Sequence, residues 1–137
     1  MGLKAIVENY GSSTSGELAR FYLANAYFNT GQIDQAMTEY DNFSGNDKML
    51  EASAAAGYAA CCEAKGKYDK AAAAYERAAS TAGTASQTPD YLAAAGRCYG
   101  RSGEKEKAIT LFKRIKKEFP SSTIAREVDR YISELSV

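Results

Sequence analysis

The sequence predicts an all-α fold: a helical solenoid of antiparallel helix pairs, closed by a C-terminal capping helix. Three observations carry this. Glycines at 31, 66 and 103 each separate two amphipathic runs, at spacings of 35 and 37 residues. An alanine follows each glycine by five residues (Ala36, Ala71, Ala108) and an aromatic by nine (Tyr40, Tyr75, Phe112). The clearest copy, Tyr91–Pro120, reads as an apolar helix, a turn at Gly103, a second amphipathic helix and a proline stop. A fixed period of this size marks a stack of helical units, each too small to bury its apolar face alone.

The elements follow in order along a single domain, 1–137. Residues 1–11 are a fragment of a unit. Leu3–Thr14 aligns without gaps on Phe112–Thr123, with Lys4/Lys113, Ile6/Ile115, Ser12/Ser121, Ser13/Ser122 and Thr14/Thr123 identical. The second stretch is a repeat's second helix plus its exit turn, so the first is expected to be the same, with its own first helix missing. The chain is therefore expected to be the C-terminal part of a longer repeat protein.

The first repeat occupies 14–46. Thr14-Ser15-Gly16-Glu17 has the spacing of a capping box, a hydroxyl followed three residues on by a carboxylate. A helix then runs to about Thr30, and Gly31 supplies the left-handed residue that ends it. Ile33, Ala36, Met37, Tyr40 and Phe43 form the apolar face of its partner. Ser44–Asp47 is a turn.

The second repeat spans 49–82. Ala52, Ala55, Ala56, Tyr58, Ala59 and Cys62 mark its first helix, and Tyr68, Ala71, Ala72, Tyr75, Ala78 and Ala79 its second. Thr81–Gln87, small and polar, is the expected long loop. The third repeat spans 88–120, with Thr88 as N-cap and Pro89 as first helical residue. The last helix, 121–137, carries Ile124, Val128, Tyr131, Ile132 and Leu135 on one face, as a cap requires.

Small residues decide where backbones approach. Ala24, Ala59 and Gly96 hold that place in the first helices and Ala36, Ala71 and Ala108 in the second. The aromatics Tyr27, Tyr99, Tyr40, Tyr75 and Phe112 fill the gaps between units, with Cys62 standing where Tyr27 and Tyr99 stand.

This small–turn–small–aromatic pattern in three copies resembles the tetratricopeptide repeat (TPR) family, and the resemblance covers nearly the whole chain. It implies a right-handed solenoid and a protein-binding scaffold rather than a catalyst. Arg20 and Ala55 depart from the family's early aromatic, for which Leu92 is the closest match, and the exit proline occurs only at Pro120, with Gly11 in its place upstream. The stretches ENYGSSTSGELARFYLANAYFNTG and KEFPSSTIAREVDRYISEL resemble TPR proteins of the Gram-negative cell envelope. That implies an envelope or periplasmic location, whereas three unpaired thiols point to a reducing cytosol.

In TPR proteins the first helices line a concave groove that takes a peptide or a partner helix. The resemblance implies a groove of Phe21, Tyr22, Asn25, Phe28 and Asn29 at one end, with Leu18 beside them. Ala60 and Glu63 form its centre, flanked by Ala56, Gly57 and Ala64. Arg97 and Arg101 form the other end, with Asp90, Ala93 and Gly100. Asn25 would bond a bound backbone, and the two arginines, one turn apart, would pair with an acidic side chain or a terminal carboxylate. The fixed carboxylate clamp of some TPR domains is excluded: only Asn25 matches it, and Phe21, Gly57, Asp90 and Ala94 stand at its other places.

Composition agrees with a binding module. Seventeen basic and seventeen acidic residues cancel, so no global field draws nucleic acid or anionic lipid. No apolar run approaches the roughly 18–20 residues of a membrane span, and no signal peptide is visible. Histidine is absent, which removes the usual general base and the commonest metal ligand. The three cysteines lack zinc spacing and read as small buried hydrophobes. No catalytic, cofactor or metal residue is expected. The Lys113, Arg114, Lys116, Lys117 cluster reads as a solvated helix end favoured by the macrodipole. Asn42-Phe43-Ser44 matches a glycosylation triplet of a kind common by chance. A second function is self-association: Leu3, Ile6, Val7 and Tyr10 would expose an apolar stripe able to form a homodimer.

Overall fold

The computed structural model describes residues 2–10 and 14–136, and only the backbone of Tyr10. The described residues form eight α-helices: α1 (Leu3–Tyr10), α2 (Thr14–Asn29), α3 (Ile33–Asn42), α4 (Lys48–Ala64), α5 (Tyr68–Ala82), α6 (Thr88–Arg101), α7 (Lys105–Glu118) and α8 (Val128–Leu135). A single 3-10 turn, Ile124–Glu127, precedes α8. α1 packs on α2, and α2–α3, α4–α5 and α6–α7 form three consecutive helix pairs. Each element packs chiefly on its neighbours in sequence, which is the architecture of a solenoid.

The turns are built alike. Gly31, Gly66 and Gly103 have φ of 79°, 75° and 86°, the left-handed region that a side chain disfavours. In each turn the residue after the glycine donates its N–H back to a carbonyl five residues earlier: Gln32 to Tyr27, Lys67 to Cys62 and Glu104 to Tyr99. This is the bond that closes a Schellman motif, so each first helix ends in the same way. Gly83, with φ of 58°, also ends α5 in the left-handed region, but through its own N–H, which donates to the Ala79 carbonyl, and it shortens the expected long loop.

The expected small contacts are all in place. Ala24, Ala59, Ala36, Ala71 and Ala108 are fully buried, and Gly96 is buried in α6. Two glycines admit rings. A Cβ on Gly57 would meet the Tyr40 ring at 2.5 Å, and one on Gly96 would meet the Phe112 ring at 2.8 Å. Cys62 is fully buried where the other repeats carry a tyrosine.

The core is two clusters rather than one. The smaller centres on Ala24, Ala36, Tyr40, Ala54 and Cys61, ringed by half-buried Phe21, Tyr27, Phe28 and Phe43. The larger runs from Cys62 and Ala71 through Leu92, Cys98 and Phe112 to Ile115 and Val128. Cys61 and Cys62, adjacent in sequence and about 100° apart on α4, belong to different clusters.

Local details depart from the sequence expectations. Thr14 is the first residue of α2, and the Glu17 carboxylate instead accepts the Ser44 N–H at 2.9 Å. The preceding Gly11, Ser12 and Ser13, used in the internal alignment, lie outside the described residues. Arg20, which stands where the family carries an aromatic, is largely covered and donates to Glu39 Oε2 at 3.2 Å, with Glu17 3.7 Å away. An ion pair thus joins α2 to α3 where a ring would pack. Thr88 is not a cap: it is buried as the first residue of α6, and its hydroxyl donates to the Ala79 carbonyl at 3.2 Å. The C-terminal cap is broken rather than continuous. Ser122 donates its hydroxyl to the Phe119 carbonyl and accepts the Ala125 N–H, so a 3-10 turn forms before Val128, which is fully buried.

Candidate protein-binding face

The exposed residues of α2, α4 and α6 form the candidate site. On α2, Tyr22 is 51% exposed and Asn29 is exposed, while Asn25 is half-buried because its Oδ1 accepts the Tyr40 hydroxyl. That bond occupies the Asn25 carbonyl. Phe21 and Phe28 turn inward instead. Phe21 meets Tyr40 and Phe43 edge-on, at ring-centroid distances of 6.2 and 6.0 Å, and Phe28 packs on the same cluster. Both belong to the first repeat's core more than to an open groove.

In α4, Ala60 is half-buried and leaves a shallow centre. Glu63 accepts the Tyr75 hydroxyl at 2.5 Å. That Tyr75 lies in α5, so Glu63 is held by its own repeat's second helix. Burial, and then the Glu63 charge, push the Cys98 thiol up to about 12. Burial alone accounts for most of the rise of Cys61 to about 11. All three cysteines are buried and unbridged, so they are protonated packing groups rather than nucleophiles.

On α6, Arg97 and Arg101 are exposed and one turn apart. Arg101 is held in place: it donates to the Tyr68 hydroxyl at 3.1 Å, and its guanidinium lies 5.2 Å from that ring's centroid. Arg97 has no hydrogen-bond or ion-pair partner among the described residues. Ala93, expected in the groove, is fully buried, so α6 contributes its arginine edge and not a full face.

A cleft of about 260 Å³ lies between α6 and α8. Gly96, Gly100 and Phe112 form its floor, and Tyr131 and Leu135 its apolar wall. Arg97, Arg101 and Glu134 stand at its rim. Sequence reasoning missed Tyr68 as the support of Arg101, and missed α8 as a neighbour of both arginines. The second had a signal in the Val128, Tyr131, Leu135 stripe, which had to cover something.

The stripe expected for self-association is not fully open. Leu3, Ile6 and Val7 are half-buried in α1, which packs on α2. The Tyr10 side chain lies outside the described ones. Among the described residues the exposed large hydrophobics are Leu18, Tyr22 and Met49.

Among the described residues no cluster of His, Cys, Asp and Glu suits a metal ion, and no helix is long and apolar enough to cross a membrane. Residues 5–78, more than half of the chain, match the family model described as anaphase-promoting complex, cyclosome, subunit 3. Residues 64–123 match a model described as tetratricopeptide repeat. Among curated proteins no match was found. With three stacked helix pairs turned by left-handed glycines, the chain belongs to the tetratricopeptide repeat family, whose members are typically non-catalytic scaffolds for protein–protein interaction.

Proposed function

We propose that this chain is a protein–protein interaction scaffold that holds a peptide or a partner helix along the first helices of its repeats. One observation carries this: along α2, α4 and α6 the groups change in order from an exposed aromatic and amide (Tyr22, Asn29), through a half-buried anion that Tyr75 holds (Glu63), to two exposed cations (Arg97, Arg101). Such a row gives a ligand both a preferred register and a preferred direction, because the acidic part of the ligand must meet the arginine end. The overall balance of 17 basic and 17 acidic residues favours a protein ligand over nucleic acid.

The test is quantitative pull-down with the whole chain, comparing wild type with Tyr22→Ala/Arg97→Ala. Both residues are exposed, so the fold stays intact. Phe28→Ala is a poor choice because Phe28 packs on the core. A partner enriched by wild type and lost from the variant supports the site. A partner held equally by both places binding on another face.

A further inference from the structure

The cleft between α6 and α8 differs from the one at the first joint in what lines it. There, α3 lays Tyr40 directly on the bare backbone of Gly57, and a cleft of the same volume, about 260 Å³, opens beside Tyr40, Phe43 and Tyr58 with both signs of charge at Asp41, Glu51 and Arg77. At the last, Phe112 of α7 stacks on a second ring, Tyr131, at 5.2 Å between centroids. Leu135 of α8 reaches α6, where a Cβ on Gly100 would meet it at 3.0 Å. The space left is the 260 Å³ cleft. That is below the roughly 300–1,000 Å³ of small-molecule sites and suits one inserted side chain.

Its rim carries two arginines and one glutamate. Across the third repeat and the cap, Lys107, Arg114, Lys116 and Arg130 each have a carboxylate partner, whereas Lys105, Lys113, Lys117 and Arg126 have none among the described residues. Arg97 and Arg101 have none among the described residues, and Glu134 answers at most one of them. Tyr68 already fixes the Arg101 head, so little side-chain freedom remains to be lost on binding. The two arginines are four residues apart, or about 6 Å along the helix. Two carboxylates one turn apart on another helix have the same spacing.

We propose that this cleft is the specificity site of the scaffold and takes an acidic amphipathic helix: one apolar side chain enters over Gly96 and Gly100, and carboxylates one turn apart meet Arg97 and Arg101. This rests on the reading of the chain as a scaffold for peptides or helices.

The probe is a phage-displayed library of random 16-residue peptides, selected on the whole chain, on R97E/R101E and on R97Q/R101Q. Circular dichroism confirms that each variant is folded. Wild type is expected to enrich peptides with acidic residues four apart beside an apolar residue. R97E/R101E is expected to enrich lysine or arginine at those places, and R97Q/R101Q to bind the wild-type peptides about tenfold or more weakly. Synthetic peptides with amidated C-termini should bind as well as free acids; loss on amidation would overturn the proposal in favour of a terminal carboxylate. Binders indifferent to both arginine variants but lost on Tyr22→Ala would overturn this site and leave the scaffold reading standing. No binders of any composition would count against both.

Discussion

The two cores on either side of α4 use the same parts in different proportion. On the N-terminal side, five small or ring-bearing buried residues are surrounded by aromatics that are only partly buried. The joint between α2 and α3 is completed by the largely covered Arg20–Glu39 ion pair, whose attraction is offset by the cost of taking both charges out of water. On the C-terminal side, Leu92, Phe112, Ile115 and Val128 are almost wholly enclosed, and the cap covers them. Apolar area removed from water is the main source of stability. The C-terminal core is therefore the firm part of the molecule, and the N-terminal core the part that opens first.

Four experiments break or sharpen that contrast. The largest effect is expected from Phe112→Ala: the ring is 1% exposed and stacked, and its loss should cost about 3–5 kcal/mol in denaturant unfolding. Phe21→Ala, on the half-exposed side, should cost about 1–2 kcal/mol by the same measure. Equal costs would mean the two cores are energetically alike. Next, Gly57→Ala should destabilise by on the order of 1 kcal/mol, since overpacking against the Tyr40 ring exceeds the gain in helix propensity. Gly100→Ala should stabilise by a few tenths of a kcal/mol, because its added methyl meets only the flexible end of Leu135.

The third experiment is alkaline titration. Cys61 rises from its ordinary 9.0 to about 11, and Tyr40 from 10.0 to about 12, each mainly by burial. A raised folded value means the fold disfavours the anion. Stability from these groups is therefore intact below about pH 9 and is lost as pH climbs from 9 towards 12. Melting temperature should stay level up to that point and fall beyond it. A melting temperature unchanged at pH 11 would contradict the burial of these groups.

The smallest effect is a difference in rate. At pH 8 a thiol reagent should label Cys61 before Cys62 and Cys98, because opening of the N-terminal core uncovers Cys61 alone. Labelling of all three at one rate would show a single cooperative unit.

The solenoid was legible in the sequence because its constraints are local. A left-handed glycine, an alanine at a helix crossing and an aromatic at a fixed offset each leave a mark at one position. Gly31, Gly66 and Gly103 therefore read true, as did the fully buried Ala36, Ala71 and Ala108. Where the expectation failed, the determining partner was distant in sequence. Glu17 faced Ser44 rather than its own helix start, Thr88 faced Ala79, and Phe21 turned to Tyr40 and Phe43. The candidate site was half legible for the same reason. Arg97 and Arg101 stood out by their spacing, but their neighbours Tyr68 and Tyr131 are brought in by packing that no single window of sequence contains.

The division of the two adjacent cysteines between the cores has a mechanical consequence. α4 is a wall shared by both compartments, and from α3 Met37 also packs against both. Pulled by its two ends, the molecule is a soft spring in series with a stiff one. α1 to α3 should peel away together at low force, while α4 to α8 keep their packing until the load is several times greater. A partner bound at α6 and α8 would then keep its grip while the other end of the scaffold stretches.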